Sequence, residues 1–256
     1  MKVKHLMPHA KLSEYVERVL TIESGALLEP FSLALFANGM PTLLFSSAKG
    51  SLNNNIAGNI TLFGQTVSPG TLLLNEPFTL IAYFFKPITL CSLFNVCGGE
   101  LTNNPVDLNL IASSKITPLQ DHLLNISNTD DMLLLLDNYI ADLIAKAKTG
   151  YSAIQYAAHS IAHNPSKNTL AAVQKELYFS ERTFQRTFEK QIGINPNLYR
   201  RICQFNAAFQ QLNSRRYDKL SDIAFENGYA DQSHYIRSFK EFTNITPKDY
   251  FTDTRS

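Results

Sequence analysis

The feature that most constrains the fold is a change in hydrophobic spacing near residue 150 of this 256-residue chain. Before that point, short apolar runs are separated by clusters of turn-forming residues. After it, apolar residues recur at the three- and four-residue steps that are typical of helices. The pattern therefore predicts an α+β chain in which a strand-rich part precedes an all-helical part.

The strand-rich part extends from about residue 31 to residue 89. Turn-forming clusters such as Asn38–Pro41 and Ser68–Gly70 divide it into short segments. Several short strands at regular spacing predict an antiparallel β-barrel or sandwich, with helices following it. The expected strands are Phe31–Phe36, Thr42–Phe45, Ile60–Phe63, Thr71–Leu74 and Phe78–Phe85.

A leucine-rich helix is predicted from Asp130 to Lys148. Its apolar residues, among them Met132, Leu136 and Leu143, recur at helical steps. Two interpretations of the flank Leu133–Leu136 stay open. The flank packs on the β-domain, which we favour, or it forms a helix seam between two copies of the chain.

Several classes of protein are disfavoured by the residues that the chain lacks. Three Cys residues without a CxxC pair form neither a disulfide framework nor a zinc or redox pair, and they favour a reducing compartment. No stretch approaches the roughly 18 apolar residues of a membrane span. His159 and His163 have a chelating spacing but no third ligand, so we expect no metal and no cofactor. No nucleophile, P-loop or dinucleotide motif is present, so we predict no catalytic residues.

The overall charge of +1 is the sum of two unlike parts. Residues 1–150 carry 9 basic and 12 acidic side chains, a net of −3, whereas residues 151–256 carry 14 basic and 10 acidic side chains, a net of +4. The helical part is therefore mildly basic, which by itself favours a nucleic-acid partner only slightly, because a solvated helical surface can reach the same charge.

The helical part contains the same unit twice. Thr169–Leu177 is followed by a short turn and the longer helix Glu181–Ile192. Leu220–Glu226 is likewise followed by a turn and the longer segment Asp231–Thr243. A short helix that braces a longer one across a tight turn is the helix-turn-helix arrangement, in which the outer face of the second helix enters the major groove of DNA.

The side chains of each longer helix are divided between an apolar and a polar side. At about 100° per residue, Phe184 and Phe188 stand opposite Arg182 and Arg186. The same division recurs in the second unit, so each helix has a core face and an outer face. In that unit the apolar side holds Tyr235, Ile236, Phe239 and Phe242, and the polar side holds Ser233, Arg237 and Lys240.

Residues 160–252 resemble the C-terminal DNA-binding domain of the AraC family of bacterial transcription regulators, in which a long helix joins two helix-turn-helix units. Ser180–Phe188 is similar to the first recognition helix of that family. Ile223–Lys240 is similar to its second unit, and Thr246–Tyr250 to its closing turn. The N-terminal half resembles, through its pattern, the barrel-like sensor or dimerisation domain that precedes this module in one branch of the family.

The sequence departs from the pattern of the family at two positions. Tyr229 stands where the family usually has Phe, and Gln204 stands where many members have an arginine. The sequence therefore does not decide whether Gln204 makes the backbone or inter-helix contact that is expected from this position. The resemblance implies three segments: residues 1–130 as a sensor or assembly domain, 131–159 as a helical linker or dimerisation segment, and 160–256 as the DNA-binding domain.

The resemblance also implies roles for individual residues. Arginine can pair with guanine, and glutamine with adenine, at about 1–3 kcal/mol of discrimination each. The expected base contacts are Arg182, Gln185 and Arg186 from the first unit and Gln232, Ser233 and Arg237 from the second. The expected phosphate contacts are Ser180, Lys190, Arg200, Asp231 and Lys240, with Ser180 and Asp231 acting as helix N-caps.

The function that these features predict is sequence-specific, double-stranded DNA binding by a cytoplasmic transcription regulator that is not an enzyme. RNA polymerase, a small-molecule effector in the N-terminal domain and a second copy of the chain are its candidate partners. An alternative is a small-molecule-binding or catalytic barrel domain that the helical half localises. A further alternative is an N-terminal half that only dimerises.

Overall fold

A computed structural model describes residues 1–111, 116–147 and 153–253 of the chain. Its strands all lie in the first half, and helices dominate thereafter. The strands are β1 (Lys2–Leu6), β2 (Val16–Ser24), β3 (Phe31–Leu35), β4 (Thr42–Ser46), β5 (Gly50–Leu52), β6 (Asn55–Ala57), β7 (Ile60–Phe63), β8 (Gly70–Leu74), β9 (Phe78–Phe85) and β10 (Val106–Asp107).

The strands form two antiparallel sheets. A six-stranded sheet has the order β1-β2-β9-β4-β7-β10, and a four-stranded sheet has the order β3-β8-β5-β6. Side chains of both sheets, such as Leu44 and Leu80 from the first and Leu72 and Leu74 from the second, share one apolar cluster. The predicted antiparallel β-domain is therefore confirmed, as two packed sheets rather than a closed barrel.

Strand β9 shows that the larger sheet is covered on both faces. Leu80 and Ala82 face the second sheet, whereas Ile81, Tyr83 and Phe85 face a separate core on the other side. A strand that is covered on both faces is apolar at almost every position, which made β9 easy to predict. Its neighbour β2 was not predicted, because its apolar residues are interrupted by charged ones.

The helices complete the fold. The helical segments expected from the sequence are confirmed, with ends that differ by a few residues; the expected helix end at Lys148 lies outside the described residues. The helices are α1 (Thr117–Asn125), α2 (Thr129–Lys146), α3 (Ala153–His163), α4 (Lys167–Glu176), α5 (Glu181–Ile192), α6 (Pro196–Ser214), α7 (Leu220–Glu226), α8 (Gln232–Thr243) and α9 (Pro247–Asp253).

Helix α2 packs on the larger sheet. Met132 and Leu136 are buried in the first core, and the hydroxyl of Tyr83 donates a hydrogen bond of 2.6 Å to Asp137 Oδ1. Of the leucine-rich flank, Leu133 and Leu135 also pack against this core, and Leu134 is 59% exposed. The flank therefore packs mainly on the β-domain, as we favoured.

The helical domain has a core of its own, and the β-domain rests on it. Helix α3 contributes Ile154 and Ala157 to this second core, so the boundary expected at residue 160 falls inside a packed helix. In the loop between β3 and β4, the Phe36 ring stacks edge-on against Phe209 of α6, with 5.7 Å between ring centroids. Gly39 of the same loop, at φ +73°, lies against Tyr199 of α6.

Candidate nucleic-acid interface

The first unit consists of α4, a tight turn and α5. The hydroxyl of Ser180 accepts a hydrogen bond of 3.2 Å from the Thr183 backbone N–H, so the predicted N-cap of α5 is confirmed. The helix ends at Gly193, whose φ of +102° suits a residue without a side chain. Phe184 and Phe188 are fully buried and hold the inner face of α5 in the core.

The second unit repeats this construction with α7 and α8. Asp231 accepts a hydrogen bond of 2.7 Å from the His234 backbone N–H, so it is the N-cap of α8. Tyr235 and Phe239 are fully buried, and Phe239 stacks edge-on against Phe205 of α6. Both longer helices are therefore anchored by aromatic side chains in one shared core.

The two turns begin with similar backbone conformations but differ in their residues and in length. Each short helix ends at a C-cap residue, Leu177 or Asn227. The next residue has a positive φ in both cases: +53° at Tyr178 and +71° at Gly228. Glycine adopts this conformation without steric cost, whereas tyrosine does not. Tyr178 is 95% exposed, so packing does not compensate for the strain.

Gln204 joins the two units through the connecting helix α6. Its Nε2 donates a hydrogen bond of 2.8 Å to the backbone oxygen of Asn227, in the turn of the second unit. Its Oε1 accepts one of 3.0 Å from Arg200 Nη1. Gln204 therefore makes the contact that the sequence left undecided, with an amide where many members of the family have a guanidinium.

The position of Arg200 differs from the one expected. The sequence predicted a phosphate contact, but Arg200 is 8% exposed and is directed into the domain. Besides Gln204, it donates a hydrogen bond of 3.2 Å to the backbone oxygen of Pro165, just before α4. Burial lowers the pKa of this guanidinium, and nearby Arg201 lowers it further. Arg200 therefore braces the first unit against α6 and is not available to a phosphate in this structure.

The side chains expected to contact bases are on the outer faces of α5 and α8. Within the described part of the chain, none of the three arginines among them forms an ion pair with an acidic residue. Gln185 donates a hydrogen bond of 3.1 Å to Glu181 Oε1 on its own helix, which it would have to exchange for a base. The exposed side chains are Arg182, Gln185, Arg186, Gln232, Ser233 and Arg237.

The remaining candidates for phosphate contacts are of two kinds. The side-chain oxygens of Ser180 and Asp231 already accept helix N–H groups, so these positions would offer an anion the helix N-terminus rather than a side-chain donor. Lys190 and Lys240 lie in the last turns of α5 and α8 and are exposed cations.

The sequence did not identify two further contacts at α8. The His234 Nδ1 accepts a hydrogen bond of 3.4 Å from the Ala230 backbone N–H, which places an exposed imidazole at the start of α8. Glu241, one turn after Arg237, forms an ion pair with Arg201 of α6. This pair compensates a negative charge on a helix that is expected to approach DNA. The four-residue step from Arg237 to Glu241 would have predicted an ion pair within α8, so it gave no signal for the pair with Arg201.

Tyr229 stands where the family usually has Phe, and its additional hydroxyl has a hydrogen-bond partner. The ring is 4% exposed, and the hydroxyl oxygen lies 3.3 Å from Ser238 Oγ. Burial raises the pKa of the Tyr229 hydroxyl to about 12. The extra oxygen is therefore a neutral, hydrogen-bonded group that fixes the turn to α8.

Membrane-spanning helices and metal sites are absent from the described residues. Over the described ranges, no helix is both long and apolar enough to cross a membrane. Nor do three or more His, Cys, Asp or Glu side chains in these ranges come together as a metal site would require. His159 and His163 are exposed on α3.

Comparison with known proteins gives two family matches and a set of similar folds. A family described as a helix-turn-helix domain matches residues 173–253, and a domain of unknown function, DUF6597, matches residues 4–107. No curated protein matches the chain.

Solved structures of ToxT from Vibrio cholerae share the fold. One has a TM-score of 0.51 at 12% identity and covers 98% of both chains. Another, bound to (E)-4-(8-methylnaphthalen-1-yl)but-3-enoic acid, has a TM-score of 0.52 at 13% identity and covers 98% of this chain and 99% of ToxT. The similarity thus extends over both domains.

Proposed function

We propose that this chain, whose residues 173–253 match a helix-turn-helix family, is a DNA-binding transcription regulator of the AraC type, and that it reads its operator by placing α5 and α8 in successive major-groove segments. Such segments recur about 34 Å apart on one face of the duplex. The observation that supports this proposal is the construction of the two helices. Each presents exposed arginine and other polar side chains outward while aromatic side chains anchor its inner face in one core.

Base reading is assigned to the exposed polar residues of the two helices. Arg186 and Arg237 lie on the outer faces and form no ion pair with a carboxylate among the described residues, so each can donate two hydrogen bonds to guanine O6 and N7. Arg182, Gln185, Gln232 and Ser233 complete the set.

Phosphate binding is assigned to Lys190, Lys240 and the start of each reading helix, capped by Ser180 or Asp231. These contacts would hold the register of the protein on the duplex without reading its sequence.

The experiment is selection of bound DNA from a random duplex library, followed by affinity measurements on single-base variants of the selected site. Arg186→Ala should lose discrimination at base pairs in one segment of the site, and Arg237→Ala at base pairs in the other. Each loss should be about tenfold or more, because a good bidentate pair contributes about 1–3 kcal/mol. Arg216→Ala is the matched control, since Arg216 is an exposed arginine in the loop after α6.

Three outcomes of this experiment can be distinguished. Loss at two distinct segments supports the assignment of both helices. A selection that yields no preferred sequence would contradict DNA reading as such, and equal effects of all three substitutions would contradict the assigned residues.

We propose further that the N-terminal domain binds an apolar carboxylate as its effector, with Arg18 as the anchor. Arg18 and Phe84 are paired across β2 and β9, and the guanidinium lies 3.9 Å from the centroid of the Phe84 ring. Phe84 packs against the apolar cluster between the two sheets. The Nε of Arg18 is buried without a hydrogen-bond partner in the described part of the chain. Binding of a naphthyl butenoic acid by ToxT supports this choice of ligand class.

This proposal is tested by thermal unfolding of the full chain with that naphthyl butenoic acid and with its primary amide. The acid should raise the unfolding midpoint, because a ligand that binds only the folded state stabilises it. The amide should not, and Arg18→Gln should abolish the shift. A shift that the amide reproduces, or that survives Arg18→Gln, would overturn Arg18 as a carboxylate anchor.

Dimerisation and contact with RNA polymerase are predictions from the family resemblance. The selected operator tests dimerisation, because an inverted repeat of half-sites indicates a two-fold assembly on DNA. The proposal places the chain in the cytoplasm, where its operator lies, and assigns it no catalytic role.

A further inference from the structure

The C-terminal end of α5 is in unusually close contact with the N-terminal domain. A short 3-10 helix, Gly98–Leu101, packs against this end of α5. A Cβ atom added to Gly98 would lie 2.5 Å from the carbonyl carbon of Ile192 and 2.6 Å from the nitrogen of Gly193. These neighbours are backbone atoms, so they cannot move aside as a flexible side chain could. We call this contact between Gly98–Thr102 and the end of α5 the α5 dock.

The N-terminal domain also provides hydrogen-bond donors to the end of α5, one of them from the dock. The hydroxyl of Thr102 donates a hydrogen bond of 2.9 Å to the backbone oxygen of Gly193. The thiol of Cys91 donates one of 3.7 Å to the backbone oxygen of Gln191. The last carbonyl groups of a helix have no partners within it, and here side chains of the other domain supply them. The N-terminal domain is therefore part of the C-terminal cap of α5.

The dock leaves the outer face of α5 open. Arg182, Gln185, Arg186 and Lys190 are exposed although the end of the helix is held. The dock consequently does not block DNA. It restrains the direction of a helix whose outer side chains must meet base edges, and a displacement of that helix would move all of them together.

The contacts of Phe36, in the loop between β3 and β4, fall on different elements of the helical domain. Phe36 stacks against Phe209 of α6 and Tyr250 of α9, which hold the second unit only from behind. The second unit is braced within its own domain by the hydrogen bond from Gln204 to Asn227. The dock is thus a contact of the N-terminal domain with a reading helix itself.

We propose that Gly98 and Thr102 are positioning residues for DNA reading: the α5 dock orients the first recognition helix, so that the N-terminal domain sets specificity in the DNA segment read by α5. This inference rests on the proposed function, because it presupposes that α5 reads bases. It makes the two units unequal, because the N-terminal domain holds the recognition helix of the first unit, whereas Gln204 of α6 holds the turn of the second.

Gly98→Ala in the full chain is the direct test. Gly98 has no positive φ, so the substitution is opposed by the dock rather than by the backbone conformation of the residue itself. Gly99→Ala is a matched control, because nothing lies within 4 Å of a Cβ added at Gly99. Both variants are measured on the single-base operator variants, whose segments are assigned by Arg186→Ala and Arg237→Ala.

Gly98→Ala should reduce discrimination about tenfold, the size of one good base contact, in the segment assigned to Arg186. It should leave the segment assigned to Arg237 unchanged, and Gly99→Ala should leave both unchanged. Thr102→Val, which removes the hydroxyl and keeps the shape, should cause a smaller loss in the same segment. Thr102→Ser should restore discrimination. If Gly98→Ala does not fold, the pair of Thr102 variants decides.

Three results would overturn the inference. They are preserved discrimination in both Gly98→Ala and Thr102→Val, an equal loss in both segments, and a gain in affinity, which would make the dock inhibitory. If the wild-type chain selects no sequence, the proposed function fails. If it selects one and Gly98→Ala behaves like Gly99→Ala, only the inference about the dock fails.

Discussion

Tyr178 and Gly228 occupy corresponding positions in the two helix-turn-helix turns, and both have a positive φ. The same positive φ is therefore relaxed at glycine in one turn and strained at tyrosine in the other. The strained residue is almost fully exposed, so its side chain contributes little packing. Strain in a turn without compensating contacts should be open to relief by a single substitution.

We expect Tyr178→Gly to stabilise the chain. A left-handed non-glycine residue costs about 1–2 kcal/mol, and glycine loses roughly half of that gain through its greater freedom in the unfolded chain. The free energy of unfolding in urea should rise by about 0.5–1 kcal/mol. Tyr178→Ala keeps a Cβ atom and should give no such gain. Equal gains from both variants would contradict the assignment of strain to φ.

The amide of Gln204 provides a second prediction for a single residue. Gln204→Leu would leave the Asn227 oxygen and one Arg200 N–H group without their partners in a buried site. We expect a loss of about 1–3 kcal/mol in the free energy of unfolding. Gln210→Leu is the control, because Gln210 is exposed on the same helix. A loss no larger than that of the control would show that the amide bridge contributes nothing.

At the scale of elements, N-cap side chains begin both helices of the first unit. Ser166 accepts a hydrogen bond of 3.0 Å from the Thr169 backbone N–H at the start of α4, and Ser180 does the same for α5. The two serines therefore have one structural role on two helices, of which only α5 is proposed to meet DNA. Comparing substitutions of the two serines therefore separates an effect on stability from an effect on DNA binding.

Ser166→Ala and Ser180→Ala should each lower the free energy of unfolding by about 1 kcal/mol, as loss of a cap commonly does. Only Ser180→Ala should also weaken operator binding, because it loosens the end of the helix that is expected to approach a phosphate. Urea unfolding and operator affinity measure the two effects. Equal losses of affinity in both variants would contradict a DNA contact at the start of α5.

At the scale of the whole molecule, the charge of the helical half is small for a DNA-binding protein. Its net charge is +4, and Arg200, one of its cations, is buried. Affinity should therefore depend on a few placed cations and helix N-termini rather than on a broad basic field. Such an interface releases few counterions, so its salt dependence should be shallow.

Lys240→Gln should make that dependence measurably shallower. Each lost phosphate contact reduces the slope of log affinity against log salt by about 0.9. Lys49→Gln removes an exposed lysine from the N-terminal domain and should leave the slope unchanged. Operator affinity at several salt concentrations checks both, and an unchanged slope in Lys240→Gln would remove Lys240 from the phosphate contacts.

The sequence by itself determined the elements whose signals are local. Helices α5 and α8 begin and end where their caps and spacing predicted, and strands β7 and β9 have the predicted bounds, because hydrophobic period and N-cap chemistry act within a few residues. The outward position of the proposed base contacts also follows from helical phase.

Only the tertiary structure decided what depends on neighbours distant in the chain. It showed that β2, with its mixed polarity, is a central partner of β9. It turned Arg200 inward, where the Pro165 carbonyl and Gln204 replace the solvent of an outer face. It also brought Gly98 against the end of α5, 94 residues later in the chain at Ile192. These are long-range contacts, and the spacing of residues along a sequence carries no information about which surfaces will meet.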